Sequence, residues 1–130
     1  LLAADIVLDD VSGDDSTYRL YKQDGIGASR IDIATVLSLP AYLTIKHSVS
    51  GKGADIVDRH LVSLTRTYLD SAEKMFTVTS NWTVAVPRTS AITAAMVADE
   101  TARLIDFMSS GGLTTLASTA NIEAILRGES

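Results

Sequence analysis

A chain of 130 residues fits one domain, and 46% apolar with 21% charged residues is enough for a real core in an ordinary globular protein. The absence of cysteine excludes disulfides, thiol catalysis and cysteine-based metal sites, and no run of about 18 apolar residues offers a membrane span. The net charge of −5, from 11 Lys plus Arg against 16 Asp plus Glu, argues against nucleic-acid binding unless the basic residues gather on one face.

Leu1 to Asp5 lacks the basic start and apolar stretch of a signal peptide, so folding in a cytoplasm is expected. Asp5 to Asp9 and Thr17 to Lys22 read as strands joined by the hairpin loop Asp10-Val-Ser-Gly-Asp-Asp. Asp24-Gly25 signals a turn, and Ile31 to Leu37 predicts a further strand before Pro40. From Tyr42 to Val49, Leu43, Ile45, His47 and Val49 lie on one side, with Thr44, Lys46 and Ser48 on the other. Gly51-Lys-Gly53 is a turn. Arg59 to Leu69 sends Val62 and Leu64 one way and Arg59, Ser63, Thr65 and Thr67 the other. After the turn Asp70 to Lys74 comes the clearest strand, Phe76 to Val86. There Phe76, Val78, Trp82, Val84 and Val86 alternate with Thr77, Thr79, Asn81, Thr83 and Ala85.

Beyond Pro87 the period changes. Thr89 or Ser90 can cap a helix to about Met108, stopped by Gly111-Gly112; a second helix runs from about Thr119 to Arg127, with Gly128 as its stop. The fold class is therefore α+β: an antiparallel β-meander opened by an N-terminal hairpin, then two C-terminal α-helices packed on one sheet face. A single domain covers 1–130, with the sheet region at 1–88 and the helical region at 89–130.

Two features ask for a partner. Phe76 to Val86 is the last strand of the meander, hence an edge, and holds no proline or charge; Lys74 and Arg88 sit only at its ends. An unblunted edge of this length points to pairing with a second copy, unless a helix or loop of the same chain covers it. The second feature is a hydroxyl-rich face: Thr44, Lys46, Ser48, Arg59, Ser63, Thr65, Thr67, Thr77, Thr79, Asn81 and Thr83 share one side if the strands are in register. A solvated face would explain it blandly, since threonine favours strands. Against that, this face carries no acid in an acidic chain, and Ser, Thr, Asn, Lys and Arg side chains can reach phosphates and unpaired bases.

Catalytic readings find little support. His47 and His60, the two histidines, lie in neighbouring strands on the core side; structural roles fit them better than metal binding, because no convergent carboxylates accompany them. Asp55 and Asp58 near a turn, and Asp9, Asp10, Asp14 and Asp15 around the first hairpin, read as solvated loop acids. Gly51-Lys-Gly53 is too short for a phosphate-binding loop and precedes no helix. Asn81-Trp-Thr83 matches a glycosylation pattern but lies inside a strand. No enzyme activity, metal or cofactor is expected.

The segments Ala41-Tyr-Leu-Thr-Ile-Lys-His-Ser-Val49, Asp58-Arg-His-Leu-Val62 and Asn81-Trp-Thr-Val-Ala-Val-Pro87, set in this order of hairpin, meander and two helices, resemble the coat proteins of the leviviruses, small positive-strand RNA phages. The resemblance covers most of the chain and rests more on architecture than on any one motif. It implies an interlocked dimer in which two sheets join into one plate, each subunit's helices clasp the partner's sheet, and dimers build an icosahedral capsid around single-stranded RNA. It also implies that the inner plate holds an RNA hairpin and represses translation. By alignment, Asn81 falls at an RNA-contacting asparagine, and Thr44, Lys46, Ser63 and Thr65 lie in matching strands; the whole candidate RNA-binding set is Thr44, Lys46, Ser48, Arg59, Ser63, Thr65, Thr79, Asn81 and Thr83. Two departures stand out. Thr79 occupies the place where some members stack an aromatic on a base, and the loop Asp70 to Lys74 is short where several members have a long one. The expected partners are the chain itself and viral RNA, with no membrane, and the expected location is the virion, assembled in the bacterial cytoplasm. The alternatives are a small homodimeric module that binds a ligand or protein on the same plate, and an enzyme with a site split across a dimer around His47 and His60.

Overall fold

Period-two alternation makes the first part of the chain a sheet, and the consecutive pairing of its strands makes that sheet a meander. In the computed structural model, which describes residues 2–109 and 119–129, the strands are β1 (Asp5–Asp9), β2 (Asp15–Asp24), β3 (Gly27–Asp32), β4 (Ala41–Ser50), β5 (Val57–Leu69) and β6 (Met75–Pro87). All neighbours are antiparallel, and their order in space is their order in the chain. The chain divides into two compact units, Leu1–Arg88 and Thr89–Ser130.

Register decides what each face of the sheet carries, because directly paired residues project to the same side. Thr44 pairs with Ser63, which pairs with Asn81; one step along, Leu43 pairs with Leu64 and Val62 with Trp82. One face is thus polar and the other apolar. The buried centre of the apolar face is small: Tyr18, Ala41 and Leu43, with Ile6, Leu8, Val62 and Leu64 packed against them.

Charge reinforces this thin core. Arg66 stands on the apolar face of β5 opposite Ala41, whose small side chain leaves room for the guanidinium to pass over β4 and meet Asp32 at 2.8 Å. The same Nη2 lies 3.3 Å from the Tyr18 hydroxyl and 3.4 Å from Ser16 Oγ. Burial alone would raise the Asp32 carboxyl, but the backbone N–H of Ala34 and the Arg66 guanidinium outweigh it and hold the group below its ordinary value. Beside this pair, the buried Arg30 donates to the backbone oxygens of Ala4 at 3.2 Å and Ala3 at 2.7 Å.

The expected strand from Ile31 to Leu37 holds only at Ile31 and Asp32, because β3 runs earlier, from Gly27. β3 ends at Asp32, whose Oδ1 accepts from the Ala34 amide and whose carbonyl accepts from the Thr35 hydroxyl, turning the chain away. Elsewhere each expected strand is present and extends by a residue or two at one or both ends, apart from Asp5–Asp9, which matches throughout.

In the second unit, α1 (Ala94–Met108) starts later than Thr89 or Ser90. Thr89 instead closes a turn by accepting from the Ala91 amide, and Thr93 caps the helix by accepting from Met96 N at 3.3 Å. α2 (Ala120–Leu126) begins after Thr119, as expected, and ends before Gly128, whose φ of +82° suits a glycine stop. Asn121 Nδ2 donates to the Phe107 carbonyl at 2.7 Å, tying α2 to α1. Gly111-Gly112 lies outside the described residues.

Candidate nucleic-acid interface

The register brings all nine candidate residues to one face of β4, β5 and β6. Three rows cross the strands: Thr44–Ser63–Asn81, Lys46–Leu61–Thr83, and Tyr42–Thr65–Thr79; Ser48 stands beside Arg59. Lys46, Ser48, Arg59, Thr79, Asn81 and Thr83 are exposed, while Thr44, Ser63 and Thr65 are half-buried between neighbours. Thr67 and Thr77 extend the row, their hydroxyls 3.2 Å apart, and Arg59 Nε donates to Ser50 Oγ at 3.1 Å.

This face carries no carboxylate on β4, β5 or β6, and its charges there are Lys46 and Arg59. The acids of the same face lie on β1 and β2: Asp5, Asp9 and Asp15 on the first pair of strands, and Asp24, which pairs with Gly27 beside Lys46. Asp5 pairs with Arg19 at 3.0 Å, and its hydrogen bond from Arg19 holds the carboxyl below the ordinary range. Asp9 faces Asp15, and that neighbour, through a shared hydrogen bond and then through charge, raises Asp9. Across the plate the charge therefore changes from acidic at the β1–β2 hairpin to cationic and hydroxyl-rich at β4 to β6. A phosphate chain would be drawn to the second region and away from the first.

Alternation alone left several plate residues unassigned. Leu61 and Tyr42 belong to it by register, as does Ser29 of β3, paired with Thr44 and 3.5 Å from it between hydroxyl oxygens. On β2 a register shift between Leu20 and Lys22 makes Tyr21 a bulge residue. Its ring meets the plate residue Tyr42, with centroids 5.9 Å apart.

On the apolar face, His47 and His60 are directly paired, with Nδ1 atoms 2.9 Å apart, so one ring donates and the other accepts. They lie on the expected side, but His47 is exposed and not part of the core. Among the described residues no cluster of three or more His, Asp or Glu is placed to hold a metal. Asp58 is not the solvated loop acid expected: it sits in β5 and accepts from Arg88 at 2.6 Å, which holds its carboxyl below the ordinary range. No described helix is long and apolar enough to cross a membrane.

Within the sheet, β6 is an edge strand. Among the described residues β6 pairs with β5 alone, and Met75, Phe76 and Val78 are about half exposed or more, at 59%, 48% and 58%. Lys74 lies 5.2 Å from the centre of the Phe76 ring at one end, and Arg88 is engaged by Asp58 at the other.

No protein-family model matches this sequence, and no curated protein does either. Solved structures do. The coat protein of bacteriophage EMS014 superposes with a TM-score of 0.74 at 18% identity, covering 99% of this chain and 98% of that one. The virus-like particle of the same phage gives 0.71 at 16% identity, with 98% and 97% covered. The virus-like particle of Beihai levi-like virus 21 gives 0.62 at 19% identity, covering 100% of this chain and 97% of that one. The six-stranded antiparallel sheet followed by two helices is thus the fold of levi-like phage coat proteins.

Proposed function

We propose that this chain is the coat protein of a small RNA bacteriophage, a structural subunit that assembles through dimers into an icosahedral shell around single-stranded RNA. The observation that carries the reading is the adjacency of two surfaces: a plate whose β4 to β6 part holds hydroxyls, Lys46, Arg59 and Asn81 without a carboxylate, bordered by a long edge strand that among the described residues pairs on one side only. In this reading two β6 edges pair, joining two sheets into one plate. The helical unit of each copy covers the apolar face of the other, so that 1–88 and 89–130 work as a single coat-protein domain.

Two further observations support it. The sheet buries few apolar side chains of its own, while Val49, Val78 and Phe76 stay exposed, as do Met96, Leu104 and Phe107 of α1; apolar surface of this extent is stabilised by a partner. The structures that share the fold are themselves coat proteins and virus-like particles. On this reading RNA lies against Thr44, Lys46, Ser48, Arg59, Ser63, Thr65, Thr79, Asn81 and Thr83. Lysine and arginine meet phosphates, and the hydroxyls and Asn81 meet phosphates or unpaired bases. A hairpin held there would also repress translation of its own message. The protein's place is then the virion, after assembly in the bacterial cytoplasm.

Expression of the chain alone in bacteria, followed by size exclusion and negative-stain microscopy, tests this reading. Uniform spherical particles containing RNA are expected. A dimer that never grows and carries no nucleic acid at any salt concentration would instead favour a small binding module. Within particles, Asn81→Ala and Lys46→Ala should lower RNA content while dimers persist; unchanged content in both would remove them from the RNA site.

A further inference from the structure

The plate continues beyond the strands on which the RNA reading rests. Where β2 passes β3, the bulge at Tyr21 turns two consecutive side chains, Tyr21 and Lys22, toward the plate, instead of one on each face. Lys22 pairs with Ser29, and Ser29 with Thr44, so both residues join the hydroxyl face at its β2 border. Tyr21 is 57% exposed, with Tyr42 beside it. Between them and the strands lies a cavity of about 220 Å³, lined by Tyr21, Lys22, Ser29, Thr44 and Lys46 among others. That is below the roughly 300 Å³ from which drug-sized pockets begin, and suits one flat ring system.

The floor of this cavity depends on Gly27: a Cβ there would meet the Ile45 carbonyl oxygen at 2.2 Å, so any side chain would push β3 from β4. Asp24 also lines the cavity, but its Oδ1 already accepts from the amides of Ile26 and Gly27, at 2.9 and 3.0 Å. With two lysines against one such carboxylate the cavity is net cationic. An aromatic face, two hydroxyls 3.5 Å apart and two ammonium groups form the chemistry of a single-stranded nucleotide site.

We propose that the β2 bulge builds a nucleotide subsite in which Tyr21 stacks on one unpaired base of single-stranded RNA while Lys22 and Lys46 hold the flanking phosphates. This rests on the reading of the plate as an RNA surface and adds an aromatic platform on β2, across the sheet from Thr79. RNA continuous with the plate is the occupant, because Thr44 and Lys46 belong to both the cavity and the β4 row.

The test uses assembled or dimeric protein and a mixed-sequence single-stranded RNA oligonucleotide, with affinity measured across salt concentrations. Tyr21→Ala should weaken binding about tenfold, the scale of one lost base stack, and Tyr21→Phe should stay within about twofold. Lys22→Ala should reduce the slope of log K against log[salt] by about 0.7. Ultraviolet cross-linking with 5-iodouridine RNA should label the peptide containing Tyr21. If the wild type binds RNA and Tyr21→Ala binds equally well, with cross-links elsewhere, the subsite is overturned and the plate reading stands. If Tyr21→Phe loses as much as Tyr21→Ala, the ring face is not the contact and the stacking is overturned. A wild type that binds no RNA at all overturns the plate reading and the subsite together.

Discussion

The two ends of the sheet are built on opposite terms. Around β2 to β5, side chains lock strands together: Arg66 reaches across β4 to Asp32, Tyr18 and Ser16, and Arg30 holds the carbonyls of Ala3 and Ala4. At β6, among the described residues, there is backbone pairing on one side only, with Met75, Phe76 and Val78 exposed. The first is tied together within the chain, and the second is the edge that the proposed reading assigns to a second copy. Stability of one copy and association between copies should therefore respond to different substitutions.

The largest expected effect is at the end tied within the chain. Arg66→Ala strands the buried Asp32 carboxylate and should cost about 3 kcal/mol in urea unfolding, the lower end for a broken buried pair because Arg66 keeps a third of its side chain in water. Next comes the β6 edge. Val78→Lys places like charges on two approaching edges and should weaken self-association about tenfold or more, seen by sedimentation at several concentrations. Should Val78→Lys unfold the chain while leaving association intact, the division between the two ends would be wrong. A smaller effect is the acid limb. The Asp32 carboxyl lies below its ordinary value when folded, so its contribution is complete above the ordinary carboxylate range and is lost as pH falls through the lower folded value. The unfolding midpoint should drop on acidification below about pH 4, and Asp32→Asn should flatten that drop. Smallest of all, Arg88→Gln breaks an exposed pair with Asp58 and should leave the midpoint where it was, most clearly at high salt.

Much of this was legible in the sequence wherever alternation was clean. Leu43, Ile45, Val62, Leu64, Val78 and Trp82 announce one face, and Thr44, Ser63, Thr65, Thr79 and Asn81 the other; the register agrees with both. What alternation could not supply were side chains that break it. Tyr21 sits on a bulge, where the count of two fails for one residue. Arg66 falls among apolar neighbours, and only the fold brings Asp32 from β3 to meet it. The expected strand from Ile31 to Leu37 stops at Asp32 because a local cap there outcompetes β-branched propensity over a few residues. An Asp with Ala and Thr two and three residues on, Asp32-Ile-Ala-Thr35, was the available signal, and it is a weak one.

The strand order β1-β2-β3-β4-β5-β6 also sets a sequence in time. Every strand pairs only with the one made just before it and the one made just after, so contacts are local and the sheet can form by successive addition as the chain leaves the ribosome. Of the two edge strands, the five-residue β1 is made first and the thirteen-residue β6 last. Until then each growing edge is covered by the next strand of the same chain, which leaves neighbouring nascent copies only the short β1 edge to grip. On the proposed reading, the long edge that a second copy would pair with comes into being only once the rest of the sheet is complete.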